Sequence, residues 1–329
     1  MSSNRKLALV AVLTVLLVYS IGYAVVPLIP KLKFVPIEEE LLAVRNDSKS
    51  SCLRDAFSDI VLVIVYHFPL YSSIPTLTAL YKNAFPTIMY CGPQKNKSNL
   101  VEALDVNKGY FAYMCMSRAM EKYPGYAGYL QISDDVLLNY WNLVGVNRDK
   151  IRVYPRYPIG IKGWYWWNSR WGWKTCRKAY NEIWSLRKRD RSSDPLRVIN
   201  GSVDLLKRSK NWSLLCDRGR SDIFYIPGKF ADAYQNLSHI FHKHQTFLEI
   251  AVPTMCRILD KVENFQYIRG VYLPGKSADG QSELFWKKYD KTRLVFIHPF
   301  KLSFKHDGAL NKELIRNWIL EYSDNLSKC

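Results

Sequence analysis

The chain has 329 residues, with 47 Lys plus Arg against 29 Asp plus Glu, for a formal net charge of +18. Hydrophobic residues at 48% and charged residues at 23% are globular proportions, which exclude wholesale disorder and supply a core. With 16 Gly and 15 Pro, collagen-like and low-complexity architectures are excluded, and no solenoid repeat is present.

Leu7 to Ile29 is a stretch of 23 residues without a charge. As a helix it would span roughly 35 Å, enough to cross a bilayer with some tilt. A cleaved signal peptide has a shorter apolar stretch followed by a small-residue cleavage site, and no such site follows here. The expected division is a cytosolic tail over 1–6, a signal anchor over 7–29, a stem over 30–51 and a luminal domain over 52–329. Within that domain, 52–145 reads as a nucleotide-binding half and 146–329 as an acceptor half. Asn-x-Ser sequons at Asn46, Asn96, Asn200, Asn211, Asn236 and Asn325 all follow the anchor, as luminal glycosylation requires. Cysteines 52, 91, 115, 176, 216, 256 and 329 contain no C-x-x-C pair. They read as disulfide candidates with at least one left over. The basic charge would suggest nucleic acid in a soluble chain. On the luminal side it points instead to a nucleotide diphosphate, an acidic glycan or sulfonucleotide, the membrane surface, or a merely solvated face.

Beyond the stem, Asp59–Tyr66 is a near-continuous β-branched run, the pattern of a strand buried on both faces. The spacing predicts a helix around 74–83, a strand over 85–90 closed by Cys91-Gly-Pro93, a helix over 109–123 and a strand over 128–133. Alternating strands and helices imply parallel pairing with right-handed crossovers. The third strand runs into Ser133-Asp134-Asp135, where open α/β sheets bind ligands. Two adjacent carboxylates repel unless a cation lies between them, and a hard divalent ion takes carboxylate oxygens together with substrate phosphates. The same Ser-Asp-Asp run would also cap a helix. Both readings stand on the residues.

The stretch GYLQISDDVLLNYWNL over 128–143 resembles the acidic motif of GT-A-type nucleotide-sugar glycosyltransferases. With SDIFYIPGKF at 221–230 and EIAVPT at 249–254, in that order, the chain is similar to the STELLO-type glycosyltransferases, which are single-pass Golgi proteins. The similarity extends over roughly Asp59 to Asp260. It implies a GT-A-like α/β domain with a mostly parallel sheet behind one transmembrane helix. It also implies a type II Golgi membrane protein that uses Mn²⁺ or Mg²⁺ and a nucleoside-diphosphate sugar, with Asp134 and Asp135 as the metal and diphosphate residues. Tyr66, which closes the first strand, is expected beside Asp134 in donor binding.

The second half is aromatic. Trp164, Trp166, Trp167, Trp171 and Trp173 fall within ten residues. They read as an acceptor platform, with Arg170 reaching an anionic group, or as a core hairpin or membrane-proximal patch. Arg187–Arg191 reads as an exposed loop. His239, His242 and His244 do not have metalloprotease spacing. Glu249 reads either as ordinary helix solvation or as a general base that deprotonates an acceptor hydroxyl. Leu294–Ile297 reads as a strand ending in His298, a third metal ligand or a core histidine, with His306 as competitor. Lys301 is placed to hold a phosphate. Gly270–Ser277 matches G-x-x-x-x-G-K-[ST], but Gly280 just beyond disfavours the helix a phosphate loop needs, and too little chain follows, so the segment reads as a loop near the acceptor site. The expected activity is transfer of a sugar from a nucleoside-diphosphate donor to a glycan or glycoconjugate hydroxyl. A catalytically inactive Golgi scaffold of the same fold and a Golgi sulfotransferase are the alternatives.

Overall fold

The computed structural model describes residues 51–98, 100–155, 163–189, 216–273, 293–303 and 311–315. The charge-free stretch Leu7–Ile29, the stem to residue 50, four of the six sequons, His306 and the second half of the Gly-Lys-Ser match lie outside them. Among the described residues no helix is long and apolar enough to cross a membrane.

A short helix α1 (Ser51–Phe57) leads into β1 (Ile60–Val65), followed by α2 (Ile74–Tyr81), β2 (Thr87–Gly92), β3 (Val101–Ala103), α3 (Tyr113–Lys122) and β4 (Gly128–Ser133). All six residues of β1 and of β4 are buried, as a central strand covered on both faces requires. Next come β5 (Leu137–Leu138), β6 (Arg152–Val153), α4 (Tyr165–Asn168), α5 (Trp173–Arg189), β7 (Ile223–Pro227), α6 (Ala231–Lys243), α7 (Leu248–Leu259), β8 (Gln266–Tyr267), β9 (Gly270–Tyr272) and β10 (Phe296–His298).

The large sheet has the order β3-β2-β1-β4-β7-β6-β8. Pairs β3-β2, β2-β1, β1-β4 and β6-β8 are parallel, and only the pairs made by β7 with β4 and β6 are antiparallel. This mixed α/β architecture fits a GT-A-like fold. Its sheet runs across residue 145, taking β6, β7 and β8 from the second half. A small second sheet, β5-β10-β9, stands beside it.

Side chains alternate along β1 to fill two cores. Val61, Val63 and Val65 join α3, α5, α6 and α7 on one face. Leu62, Ile64 and Tyr66 join α1, α2 and the small sheet on the other. Disulfides Cys91–Cys115 and Cys176–Cys216 tie β2 to α3 and α5 to the segment that enters β7. Cys256 is free and buried.

Four details differ from the sequence expectation. The residues after Asp135 form β5, not a helix, so Ser133-Asp134-Asp135 caps nothing and is the turn between two strands. The basic run from Arg187 begins inside α5, which continues to Arg189. The first glycine of the Gly-Lys-Ser match opens β9 instead of a loop. Sequon Asn236 sits inside α6, its amide donating to Asp232 O at 2.8 Å, with Ser238 fully buried.

Candidate active site

The parallel order reverses at β1, whose neighbours are β2 and β4. The crevice beyond the carboxyl ends of β1 and β4 is thus a topological switch point. Two short bonds shape it. The Asp134 N–H donates to Val65 O at 3.0 Å, and the Val136 N–H closes the turn on Ser133 O at 3.0 Å. Because β7 runs antiparallel to β4, its beginning lies at this same edge: the Ser133 N–H donates to Asp222 O at 2.9 Å. The small sheet delivers the rest. β10 pairs with β5 and β9, and the Phe300 N–H donates to Asp135 O at 2.6 Å.

The site is therefore assembled from chain segments far apart in sequence. Asp135 is buried and accepts bonds from His298 Nε2 at 3.1 Å and from Lys301 Nζ. Burial alone would raise its carboxyl, but His298 and Lys301 outweigh burial and hold it well below the usual carboxylate range. Asp134 is half-buried. Burial and then the charge of Asp135 push its carboxyl well up. The two adjacent acids are thus pushed in opposite directions, Asp135 down by its cations and Asp134 up by burial and its neighbour's charge. His298 Nε2 also lies 3.5 Å from Asp222 Oδ1, while the Tyr272 hydroxyl donates to Asp222 Oδ2 at 2.9 Å. Burial opposes charging His298, but Asp222 and Asp135 override it and raise its pKa.

Glu249 stands in the first turn of α7. Burial, then the charge of Asp222, pushes its carboxyl up to about 8, against the pull of Arg220 and His298. The Phe247 N–H donates to Trp171 O at 2.9 Å, the Leu248 N–H to Tyr110 O at 2.8 Å and the Gly219 N–H to Glu249 O at 2.9 Å. The start of α7 is therefore seated by three different loops.

Of the sequence-expected residues, Asp134, Asp135, His298, Lys301 and Glu249 share one electrostatic neighbourhood. Lys301 sits on Asp135. Tyr66 has no exposed surface and its hydroxyl bonds Ser73 Oγ at 2.8 Å, so it offers no face to a nucleotide and helps pack the edge of β1 beside Asp134. His244 bonds Glu182 at 2.7 Å and the His242 ring lies 5.2 Å from Phe111, so both have structural partners.

Four residues escaped the sequence reading. Asp222 and Tyr272 form the hydrogen-bonded pair described above, and Arg220 stacks 4.5 Å over the Tyr272 ring. His67, just beyond β1, has its pKa lowered by burial, although Asp135 and Asp222 pull the other way. Gly109 makes room for it: at φ +90°, a Cβ there would lie 2.6 Å from the imidazole, a conformation and a space only glycine tolerates. Asp222 had a signal, since it precedes the apolar Ile-Phe-Tyr-Ile run of the 221–230 block. His67 had none beyond its place after β1.

Of the donors here, the carboxylate oxygens are the hard ligands that Mn²⁺ and Mg²⁺ take, while the imidazole is a softer one. His298 Nε2 faces two carboxylate oxygens, so a bare lone pair would be repelled, and that position demands a proton or a cation. Among the described residues no three His, Cys, Asp or Glu side chains stand in a ready-made metal cluster. Asp135 is held by its own cations instead.

The model of the family described as STELLO glycosyltransferases matches residues 32–194, just under half of the chain. This chain is STELLO-like. Probable glycosyltransferase STELLO2 of Arabidopsis thaliana is 24% identical over 261 residues, which is 77% of this chain and 31% of that protein. Probable glycosyltransferase STELLO1 of the same plant is 23% identical over 261 residues, with the same coverage of 77% and 31%. The chain therefore spans about a third of the length of these STELLO relatives. No solved structure matches.

Proposed function

We propose that the chain is a metal-dependent glycosyltransferase. It would move a sugar from a nucleoside-diphosphate donor to a hydroxyl acceptor, on the luminal side of the Golgi membrane. One observation carries the reading: an acidic turn at the switch point meets a histidine, a lysine and a high-pKa glutamate brought from the other half of the chain.

In this reading Asp134, Asp135 and His298 would hold Mn²⁺ or Mg²⁺, with Asp222 as their neighbour. The bound ion would neutralise charge on the departing diphosphate. Lys301, which pairs with Asp135 here, would hold a phosphate oxygen of the donor. Glu249 accepts the proton of the acceptor hydroxyl. The acceptor oxygen bonds the anomeric carbon as the bond from that carbon to the β-phosphate oxygen breaks, and the nucleoside diphosphate leaves with the electron pair. Such a base serves an inverting transfer.

The test is ligand-induced thermal stabilisation of the full chain in detergent, across a panel of nucleotide sugars with and without Mn²⁺. Stabilisation that needs both metal and one nucleotide supports the proposal. No response to any donor returns the reading to a non-catalytic scaffold. A metal-independent response to a sulfonucleotide alone makes it a sulfotransferase.

A further inference from the structure

The tryptophan segment forms an aromatic corner against the wall of the site. Trp167 is buried, while Trp164, Trp166, Trp171 and Trp173 are half-buried and pack on the core. Trp166 stacks on Phe247 with ring centroids 4.3 Å apart at 13°, and Tyr110 packs edge-on to both Trp166 and Trp171. Phe247 is two residues from Glu249. The aromatic surface is thus continuous with the start of α7.

Its outer face is open and basic. Tyr165 is 68% exposed. Arg170 is exposed and lies 4.1 Å over the Trp171 ring. Lys174 and Lys178, one helical turn apart on α5, are exposed as well. No acidic residue occurs from Gly163 to Asn181. Arg218, with its guanidinium 5.8 Å from the Trp167 ring, and Arg220 continue the positive charge toward Glu249.

We propose that this corner is a binding subsite for an anionic glycan, the acceptor side of the same reaction. The exposed Tyr165 ring, with the solvent-facing edges of the half-buried tryptophans beside it, offers apolar surface to the C–H faces of sugars. The cations at their rim pair with carboxylate or sulfate groups. The inference rests on the transferase reading for its place beside Glu249, but binding itself does not need transfer. A neutral sugar chain would leave the basic rim without a partner. A bilayer, the other surface that attracts aromatic and basic residues together, would contact the open rim but has no need of the track leading to Glu249.

The test is binding of fluorescent oligogalacturonate and heparin hexamers to the full chain, with maltohexaose as neutral control and phosphatidylserine vesicles as the membrane arm. At least one acidic hexamer should bind, with affinity falling as salt rises. Tyr165→Ala and the triple change Arg170→Ala, Lys174→Ala, Lys178→Ala should each weaken it roughly tenfold. All four side chains are exposed at the rim, and nucleotide-dependent thermal stabilisation in these variants should equal that of the parent. Equal binding of maltohexaose, binding to vesicles alone, or acidic binding that survives both variants overturns the subsite. Nucleotide binding without glycan binding sinks this inference and spares the transferase reading; glycan binding without any nucleotide response does the reverse.

Discussion

Asp134 and Asp135 are neighbours in sequence and opposites in chemistry. The Asp135 carboxyl is held down because two cations converge on it, and the Asp134 carboxyl is pushed up because burial and Asp135 act together. Asp135→Asn leaves His298 and Lys301 without their buried counter-charge. The expected cost is about 3 kcal/mol, the lower part of the range for breaking a buried pair, measured by chemical denaturation. Asp134→Asn, at an acid whose ionised form burial and Asp135 both disfavour, should cost far less. Glu249 gives the pH prediction. Its folded-state pKa of about 8 exceeds its ordinary value of 4.5, so the folded chain holds this proton more tightly than the unfolded one. That stabilising contribution is complete below about 4.5 and is lost as pH rises through about 8. In Glu249→Gln the fall in thermal midpoint across that window should flatten. The rate should follow the opposite sign, since the base works only as carboxylate. Transfer should rise toward pH 8, and Glu249→Gln should lower kcat by about 10²–10⁴-fold. A rate indifferent to the Gln change would remove Glu249 from the chemistry.

At the scale of elements, the small sheet matters more than its size indicates. Strand β10 carries His298 and leads to Lys301, and it is positioned by packing against β9. Gly270 is the closest point: a Cβ there would lie 2.0 Å from Cε1 of the fully buried Phe296 ring. Gly270→Ala must therefore displace β10. Overpacking of this kind costs about 1–3 kcal/mol, and the larger effect should be on donor binding, because His298 moves with the strand. Unchanged donor affinity in that variant would mean that β10 does not position the site. The start of α7 is fixed in a comparable way by the Trp166–Phe247 stack and the bond to Trp171 O. Here packing does what side-chain caps do elsewhere, as no N-cap side-chain bond is present.

On the scale of the whole molecule, two disulfides brace the face opposite the small sheet. Cys91–Cys115 closes 24 residues and Cys176–Cys216 closes 40. Loop-closure entropy puts each at roughly 3–4 kcal/mol. Cys176→Ala together with Cys216→Ala should lower the unfolding free energy by about that much and loosen the segment that presents Arg220 and Asp222. Cys256 should behave differently. Burial pushes its thiol far up, so peptide mapping after native maleimide treatment should find it unmodified until the protein unfolds. Labelling of Cys256 at the rate of an exposed thiol would show that the core around α7 opens.

The sequence by itself determined the central strands, the crossover helices and the acidic turn, because β-branched runs, amphipathic spacing and a charged break after a strand are local signals. The bounds of β4 and the start of α2 could be read from them directly. It also carried the STELLO likeness, through the order of three short blocks. Asp222, Tyr272, Arg220 and His67 were not readable as a site. Their roles depend on β7 running antiparallel to β4 and on β9 and β10 folding back against β5. Pairing between strands some 160 residues apart leaves no periodic trace in either one. The same holds for the electrostatics: which of two adjacent aspartates is pulled down and which is pushed up depends on where His298 and Lys301 arrive, and only the tertiary structure brings them there.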